Sequence, residues 1–308
     1  MIPILIIAFN RPEKLRILIE SLRVSEPPIV MLAVDGPREG FPNDLQLVAN
    51  TQKVIEDIDW NCIIETRFRS QNLGLRTAYV DAVDWAMSRY GSAVIVEDDV
   101  IAGPQFYPYV AAGLTHFQNE KSIAQINGYN HVPTAALSTP DGSSRLSIYP
   151  TSYAWGTWDH AWAKYDPKME WGMNVSISEL KTTTTRSSIS AVKWKMNFKN
   201  AYYERVDTWD YFWVASIWEQ KWMSVTPNRN LVQYNGFDDG THTRIKRKNT
   251  QPPLESLAFE DKFETLIYNE QSDKWISQNV HKDKPLGLIE TAAASLALGI
   301  IKKRNNRD

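Results

Sequence analysis

Between residues 3 and 99 the chain alternates short apolar runs with stretches of helical periodicity, and the runs stop at charged or turn residues. Pro3 to Phe9 is a continuous apolar run, as expected of a strand buried on both faces. It breaks at Asn10-Arg11-Pro12-Glu13, where Pro12 suits a first helical position and Leu15, Ile17, Leu18, Ile19 and Leu22 supply an apolar face. Ile29 to Val34 reads as a second strand ending at Asp35-Gly36-Pro37, and Leu45 to Ile58 as a helix. Cys62 to Glu65 reads as a short strand and Leu75 to Tyr90 as a helix. Ala93 to Val96 is a strand running straight into Glu97-Asp98-Asp99. Strand–helix alternation of this kind predicts an α/β fold on a parallel, doubly wound sheet. Ligands of such sheets bind beyond the carboxyl ends of the strands, which is where Arg11, Asp35 and the acidic triplet fall.

The second half is less regular. Ile123 to Gln125 reads as a strand before Asn127-Gly128, followed by a polar loop over 138–145 and an aromatic stretch from Tyr149 to Trp162. The Ser- and Thr-rich stretch 176–190 reads as mobile, and helices are expected over 192–205 and 210–222. Composition changes near Tyr149, with both halves expected to share one core. The C-terminal stretch 286–301 is small and apolar and runs into Lys302-Lys303-Arg304. Two readings stand for it: a helix lying flat on an anionic membrane surface, or a packed terminal helix with a solvated tail.

Three adjacent carboxylates repel one another, so Glu97-Asp98-Asp99 at a strand end asks for positive charge between them. Mg²⁺ and Mn²⁺ bind through one or two carboxylates together with substrate phosphates. Arg11 fits as a fork on phosphate oxygens, Asp35 as an acceptor from a base or ribose, and Arg76 as a second phosphate contact. The plain alternatives are an ordinary turn at Asp35-Gly36-Pro37 and a surface-helix arginine at Arg76. Asp207-Thr208-Trp209-Asp210 sets carboxylates among aromatic rings, which suits a general base, a cap for the helix that follows, or both in one residue. His242, in the polar loop Asn235 to Thr243, is read as a contact to metal or diphosphate. Tyr153 to Trp158, with Trp155 and Gly156, and also Trp209, forms either the wall of an acceptor-sugar site or an aromatic core cluster.

Other classes are set aside by composition. A net charge of −2 gives no electrostatic case for nucleic acid, which would ask for a clustered basic surface. The single cysteine, Cys62, allows no intrachain disulfide and fits a reducing compartment. The N-terminal apolar run is short, with no basic residues before it, and reads as a strand rather than a signal peptide. No apolar run is long enough to span a membrane. These features lead to the expectation of a cytoplasmic protein, with peripheral attachment to the inner face of the membrane if the C-terminal helix is an anchor.

The ordered series Ala8-Phe9-Asn10-Arg11-Pro12, Val34-Asp35-Gly36 and Val94 to Val100 resembles the GT-A glycosyltransferases of the N-acetylglucosaminyltransferase I type. Phe106-Tyr107-Pro108-Tyr109, Asn127-Gly128, Trp155-Gly156 and Trp209-Asp210 continue the likeness in the same order, over most of residues 1–245. The loop from Asn235 to Thr243 is similar to bacterial members that build surface polysaccharides, including lipopolysaccharide. The resemblance implies a GT-A domain over residues 1–250, with a nucleotide-sugar half (1–130) and an acceptor half (131–250), then a C-terminal extension (251–308). It implies Mn²⁺ or Mg²⁺ on Asp99, with Glu97 and Asp98 near the donor sugar and ribose, and Arg11 and Asp35 on the nucleotide. It also implies Asp210 as base, inversion at the anomeric carbon, a UDP-sugar as the favoured donor and a glycan or lipid-linked glycan as acceptor. The family pattern often has a second acidic residue after the base; here it is Tyr211. Two rivals are a sugar-1-phosphate nucleotidyltransferase, which wants a Gly-rich N-terminal loop with a lysine, and a non-catalytic carbohydrate-binding protein.

Overall fold

The computed structural model describes residues 1–137, 143–236, 252–257, 263, 266–285, 287–293 and 295–296. Ten strands lie among these: β1 Ile4–Ala8, β2 Ile29–Val34, β3 Ile63–Phe68, β4 Ser92–Glu97, β5 Val100–Ala102, β6 Ile123–Asn127, β7 Ser144–Ser147, β8 Ala154–Trp158, β9 Met223–Pro227 and β10 Val232–Tyr234. The α-helices are α1 Pro12–Leu22, α2 Pro42–Lys53, α3 Leu75–Tyr90, α4 Phe106–His116, α5 Asp159–Trp162, α6 Glu170–Asn174, α7 Ile177–Thr183, α8 Ser188–Tyr202, α9 Asp210–Glu219 and α10 Glu270–Asn279.

Eight strands form one sheet in the order β3-β2-β1-β4-β8-β6-β9-β7. The first four are parallel, and β1, β2 and β4 are buried on both faces because helices cover each side. The parallel arrangement expected from residues 3–99 stops at β4. There β8 runs antiparallel to both β4 and β6, and β7 antiparallel to β9. The aromatic stretch that resisted assignment supplies β8, whose residues are all buried. A second, two-stranded antiparallel sheet pairs β10 with β5, with Tyr234 opposite Val100. That pairing brings the residues around 235 back beside the acidic triplet.

Local rules account for most boundaries. α1 begins at Pro12 and buries Leu15, Leu18, Ile19 and Leu22, whereas Ile17 turns outward. α3 ends where Gly91 takes a left-handed backbone (φ 72°) and its N–H closes on Met87 O. The stretch over 176–190, read as mobile, instead forms α7 and the start of α8. Ser176 Oγ accepts from Glu179 N and Ser187 Oγ from Ser190 N, so these serines are helix caps rather than linker residues.

Buried apolar residues from Ile4 to Ile276 form one connected core across both halves of the chain. α10 docks on it through Asp273, which accepts from Ser147 Oγ (2.6 Å) and Ile148 N (3.0 Å). Beyond α10, residues 287–293 are helical, and Asn200 Nδ2 of α8 donates to Ser295 Oγ at 2.7 Å. No described helix is long and apolar enough to cross a membrane. The basic residues 302–304 lie outside the described residues.

Candidate functional site

β1, β2 and β4 end side by side, and the loops leaving them enclose a cavity of about 290 Å³ lined by Arg11, Asp35, Arg38, Asn72, Tyr79, the acidic triplet, Asp207 and Tyr234, among others. The parallel register places Ile7 opposite both Ala33 and Glu97. Residues that follow these strands therefore emerge on one edge of the sheet. Arg11, Asp35, Glu97, Asp98 and Asp99, far apart in sequence, meet there.

Arg11 Nη1 donates to Asp99 Oδ2 at 2.9 Å and lies 3.5 Å from Asp98 Oδ1. Asp98 Oδ2 accepts from the Phe9 N–H at 3.3 Å, and Asp99 O from the Asn235 N–H at 2.6 Å. Lys14 Nζ donates to Asn235 O at 2.8 Å, pinning the same backbone from the other side. Positive charge is still short. Burial, then the neighbouring Asp99, Asp98 and Asp210 carboxylates, lift the Glu97 carboxyl well above its ordinary range against the pull of Arg11. Burial and Asp99 push Asp98 up to about 7, and burial raises Asp99 despite Arg11 and Lys14. Asp99 Oδ1 is buried and has no hydrogen-bond partner.

This arrangement fits a divalent cation: a buried carboxylate oxygen in want of a partner, in a cluster with excess negative charge. Asp99, with Asp98 beside it, would hold the ion. Among the described residues no three His, Cys, Asp or Glu side chains are grouped as a metal site. Substrate oxygens would have to complete the shell, as is usual for Mg²⁺.

Asp35 lines the cavity, and its carboxylate is engaged within the protein. Its Oδ1 accepts from Gly36 N (2.9 Å) and Leu73 N (3.0 Å), and its Oδ2 from Asn72 Nδ2 (2.9 Å). The carboxylate thus ties the loop after β3 to the end of β2, and most of its acceptor capacity is already used. Burial, its largest influence, raises its pKa against these N–H donors.

Arg38 is a site residue that the sequence reading missed. Its Nε and Nη2 form a fork on the buried Asp44 (2.6 and 3.0 Å), and its guanidinium lies 4.2 Å over Phe41 and 5.3 Å from the Phe9 ring centre. The Arg38 hydrogen bonds hold the Asp44 carboxyl down at about 2. The available signal was positional: Arg38 follows the Asp35-Gly36-Pro37 turn at a strand's carboxyl end. Tyr79, one helical turn after Arg76, also lines the cavity.

Arg76 itself is not among the lining residues. Its Nη2 donates to Glu204 Oε1 (3.2 Å), and its guanidinium sits 4.9 Å over Phe212. Asp210 stands in the first turn of α9, with Thr208 Oγ1 donating to it, and no side chain caps that helix; Trp209 holds the cap position. Asp210 is not among the lining residues, but its charge helps raise the pKa of Glu97 and Tyr79, which are, while Asp207 lines the cavity directly. The Asp207 and Asp210 capping reading is therefore corrected.

So is the acceptor-wall reading of Trp155, Gly156 and Trp209. Trp155 is 0% and Trp209 3% exposed. Trp209 stacks on Tyr79 at 3.9 Å and on Trp155 at 5.5 Å, and Trp155 Nε1 donates to Tyr79 OH at 3.1 Å. A Cβ at Gly156 would lie 2.6 Å from Val110 Cγ1. These residues form an aromatic core that buttresses the cavity floor through Tyr79. His242 lies outside the described residues, as do Asp238 and Asp239.

No family model matches the chain, and no curated protein matches it. Among solved structures it is similar to a UDP-glucose pyrophosphorylase complexed with UDP-glucose, at 10% identity and a TM-score of 0.25, over 49% of this chain and 65% of that one.

Proposed function

We propose that the protein is a metal-dependent, inverting glycosyltransferase of the GT-A type, taking a sugar from a nucleoside diphosphate sugar. The observation that carries the reading is the buried, undercompensated carboxylate cluster with the partnerless Asp99 Oδ1, at the carboxyl ends of three parallel strands. A uridine nucleotide is the favoured donor and a glycan or lipid-linked glycan the acceptor, both on the sequence resemblance.

In this reading Asp99 and Asp98 would hold Mn²⁺ or Mg²⁺. When bound, the cation supplies charge compensation for a departing diphosphate. Arg11 and Arg38, the first on the triplet and the second fixed by Asp44, provide guanidinium groups for phosphate or base. Asp35 acts by holding the loop with Asn72 and Leu73 in place. Asp210 accepts the proton of the acceptor hydroxyl as its oxygen attacks the anomeric carbon and the bond to the diphosphate oxygen breaks. Asp207, on the cavity wall, is the alternative base, and comparing Asp210→Asn with Asp207→Asn distinguishes them.

A nucleotidyltransferase is the nearer rival. Against it stands the Asn10-Arg11-Pro12 turn, which enters α1 directly without a glycine loop for a triphosphate. A carbohydrate-binding protein without turnover is disfavoured because the aromatic rings of β8 and α9 are packed in the core. The deciding assay is product release. Incubation with a panel of nucleoside diphosphate sugars and Mn²⁺ should liberate nucleoside diphosphate, and chelator should stop it. Pyrophosphate from nucleoside triphosphate and sugar 1-phosphate, with no diphosphate release, favours the rival instead.

A further inference from the structure

β3 closes one end of the eight-stranded sheet, with β2 its neighbour on one side and no described strand on the other. Edge strands are ordinarily blunted by charge, proline or cover. This one is Ile63-Ile64-Glu65-Thr66-Arg67-Phe68, and Ile63, Ile64 and Phe68 are 50%, 44% and 41% exposed. Ile63 N donates to Pro28 O and Arg69 N to Val34 O, so odd-numbered residues turn their backbone polar groups toward β2. By alternation, Ile64, Thr66 and Phe68 turn theirs outward.

Identical strands pairing antiparallel about a two-fold axis must set an outward residue opposite an outward one, or an inward one opposite an inward one. Few registers obey this. Centring on Glu65 or on Arg67 sets like charges face to face. Centring on Thr66 sets Ile64 opposite Phe68 and Glu65 opposite Arg67, each pair occurring twice. Thr66 and the Ile64–Phe68 pairs then fall at hydrogen-bonded positions. The Glu65–Arg67 pairs fall at the non-hydrogen-bonded positions, where side chains approach more closely. Both charged groups already stand in place on that face. Glu65 accepts from Arg89 (2.9 Å) and Tyr90 (2.7 Å), and Arg67 donates to Asp81 (3.0 Å). Across the axis the charges would alternate as Arg89, Glu65, Arg67, Asp81.

We propose that β3 is a homodimer interface, pairing antiparallel with β3 of a second copy about Thr66 so that the sheet continues through both chains. The occupant is a second copy because the strand complements itself in charge, in apolar contacts and in hydrogen-bond parity at one shared register. The proposal does not depend on what the cavity binds.

Sedimentation of the full chain tests it. The wild type should sediment as a dimer of the 35.3 kDa chain. Thr66→Pro removes an outward N–H and leaves the ladder to β2 intact, so it should sediment as a monomer with unchanged far-ultraviolet circular dichroism. Glu65→Arg alone, and Arg67→Glu alone, each set like charges opposite one another and should weaken the dimer by on the order of tenfold. Mixing those two variants pairs opposite charges again and should restore a dimer containing one chain of each. This rescue separates the interface from any loss of the contacts each charge makes within its own chain. A wild type that stays monomeric up to high concentration overturns the proposal. So does a dimer that survives Thr66→Pro, or a pair of variants that shows no association on mixing.

Discussion

At Asp99 one carboxylate oxygen is taken by Arg11 and the other is buried without a partner, and this asymmetry gives the residue its place in the account. Asp99→Asn keeps the shape and removes the charge. Donor turnover should fall by roughly 100-fold or more while the fold persists, measured as nucleoside diphosphate release beside circular dichroism. Gly156 makes the opposite case. Gly156→Ala drives a methyl against Val110 and Leu114, which should cost about 1–3 kcal/mol of stability in denaturant unfolding. Nucleotide affinity should be little changed, since the residue sits in the sheet core. A large loss of affinity with unaltered stability would return Gly156 to a ligand-facing role. The acidic triplet was legible in sequence because a buried apolar run ends in it. Arg38 was not, because its role depends on Asp44, Phe41 and Phe9, and no periodicity links those positions.

Among elements, the strands buried on both faces and the long amphipathic helices were readable. β2 and α3 follow the expected spans residue for residue, since Gly91 and the Asp35-Gly36-Pro37 turn punctuate them. β8 and α7 were not, since β8 (Ala154-Trp155-Gly156-Thr157-Trp158) is buried at every position and so shows no alternation, and the Ser and Thr residues around α7 mimic a linker. α9 presents Asp210 from its first turn. Asp210→Asn should lower turnover by about 100-fold or more and leave the donor-induced rise in melting temperature intact. Near-normal turnover would transfer the base role to Asp207. α10 carries a pH prediction. Burial lifts the Asp273 carboxyl to about 6, against hydrogen bonds from Ile148 and Ser147. The folded state therefore holds a proton that the unfolded chain, with a carboxyl near 4, releases earlier. The stability this site contributes is greatest below about pH 4 and declines as pH rises through about 6. Asp273→Asn should flatten that part of the stability–pH profile, and an unchanged slope would contradict the assignment.

At the scale of the molecule, the sheet changes character at β4, from the parallel strands that build the cavity to the antiparallel β8 that backs it. The first half of this plan follows from strand–helix alternation. The second does not, because antiparallel pairing of β8 between β4 and β6 is a long-range choice with no local signature. The proposed function requires the cavity to bind a nucleotide together with a divalent cation on the triplet. Melting temperature against a panel of nucleoside diphosphates and their sugars, with Mn²⁺ or with chelator, tests it most directly, because a ligand of the native state raises stability by mass action. Melting temperature should rise with at least one nucleoside diphosphate, and the rise should need Mn²⁺ and be lost in Asp99→Asn. A well-folded protein whose melting temperature moves with none of them, or moves equally with chelator present, would contradict it.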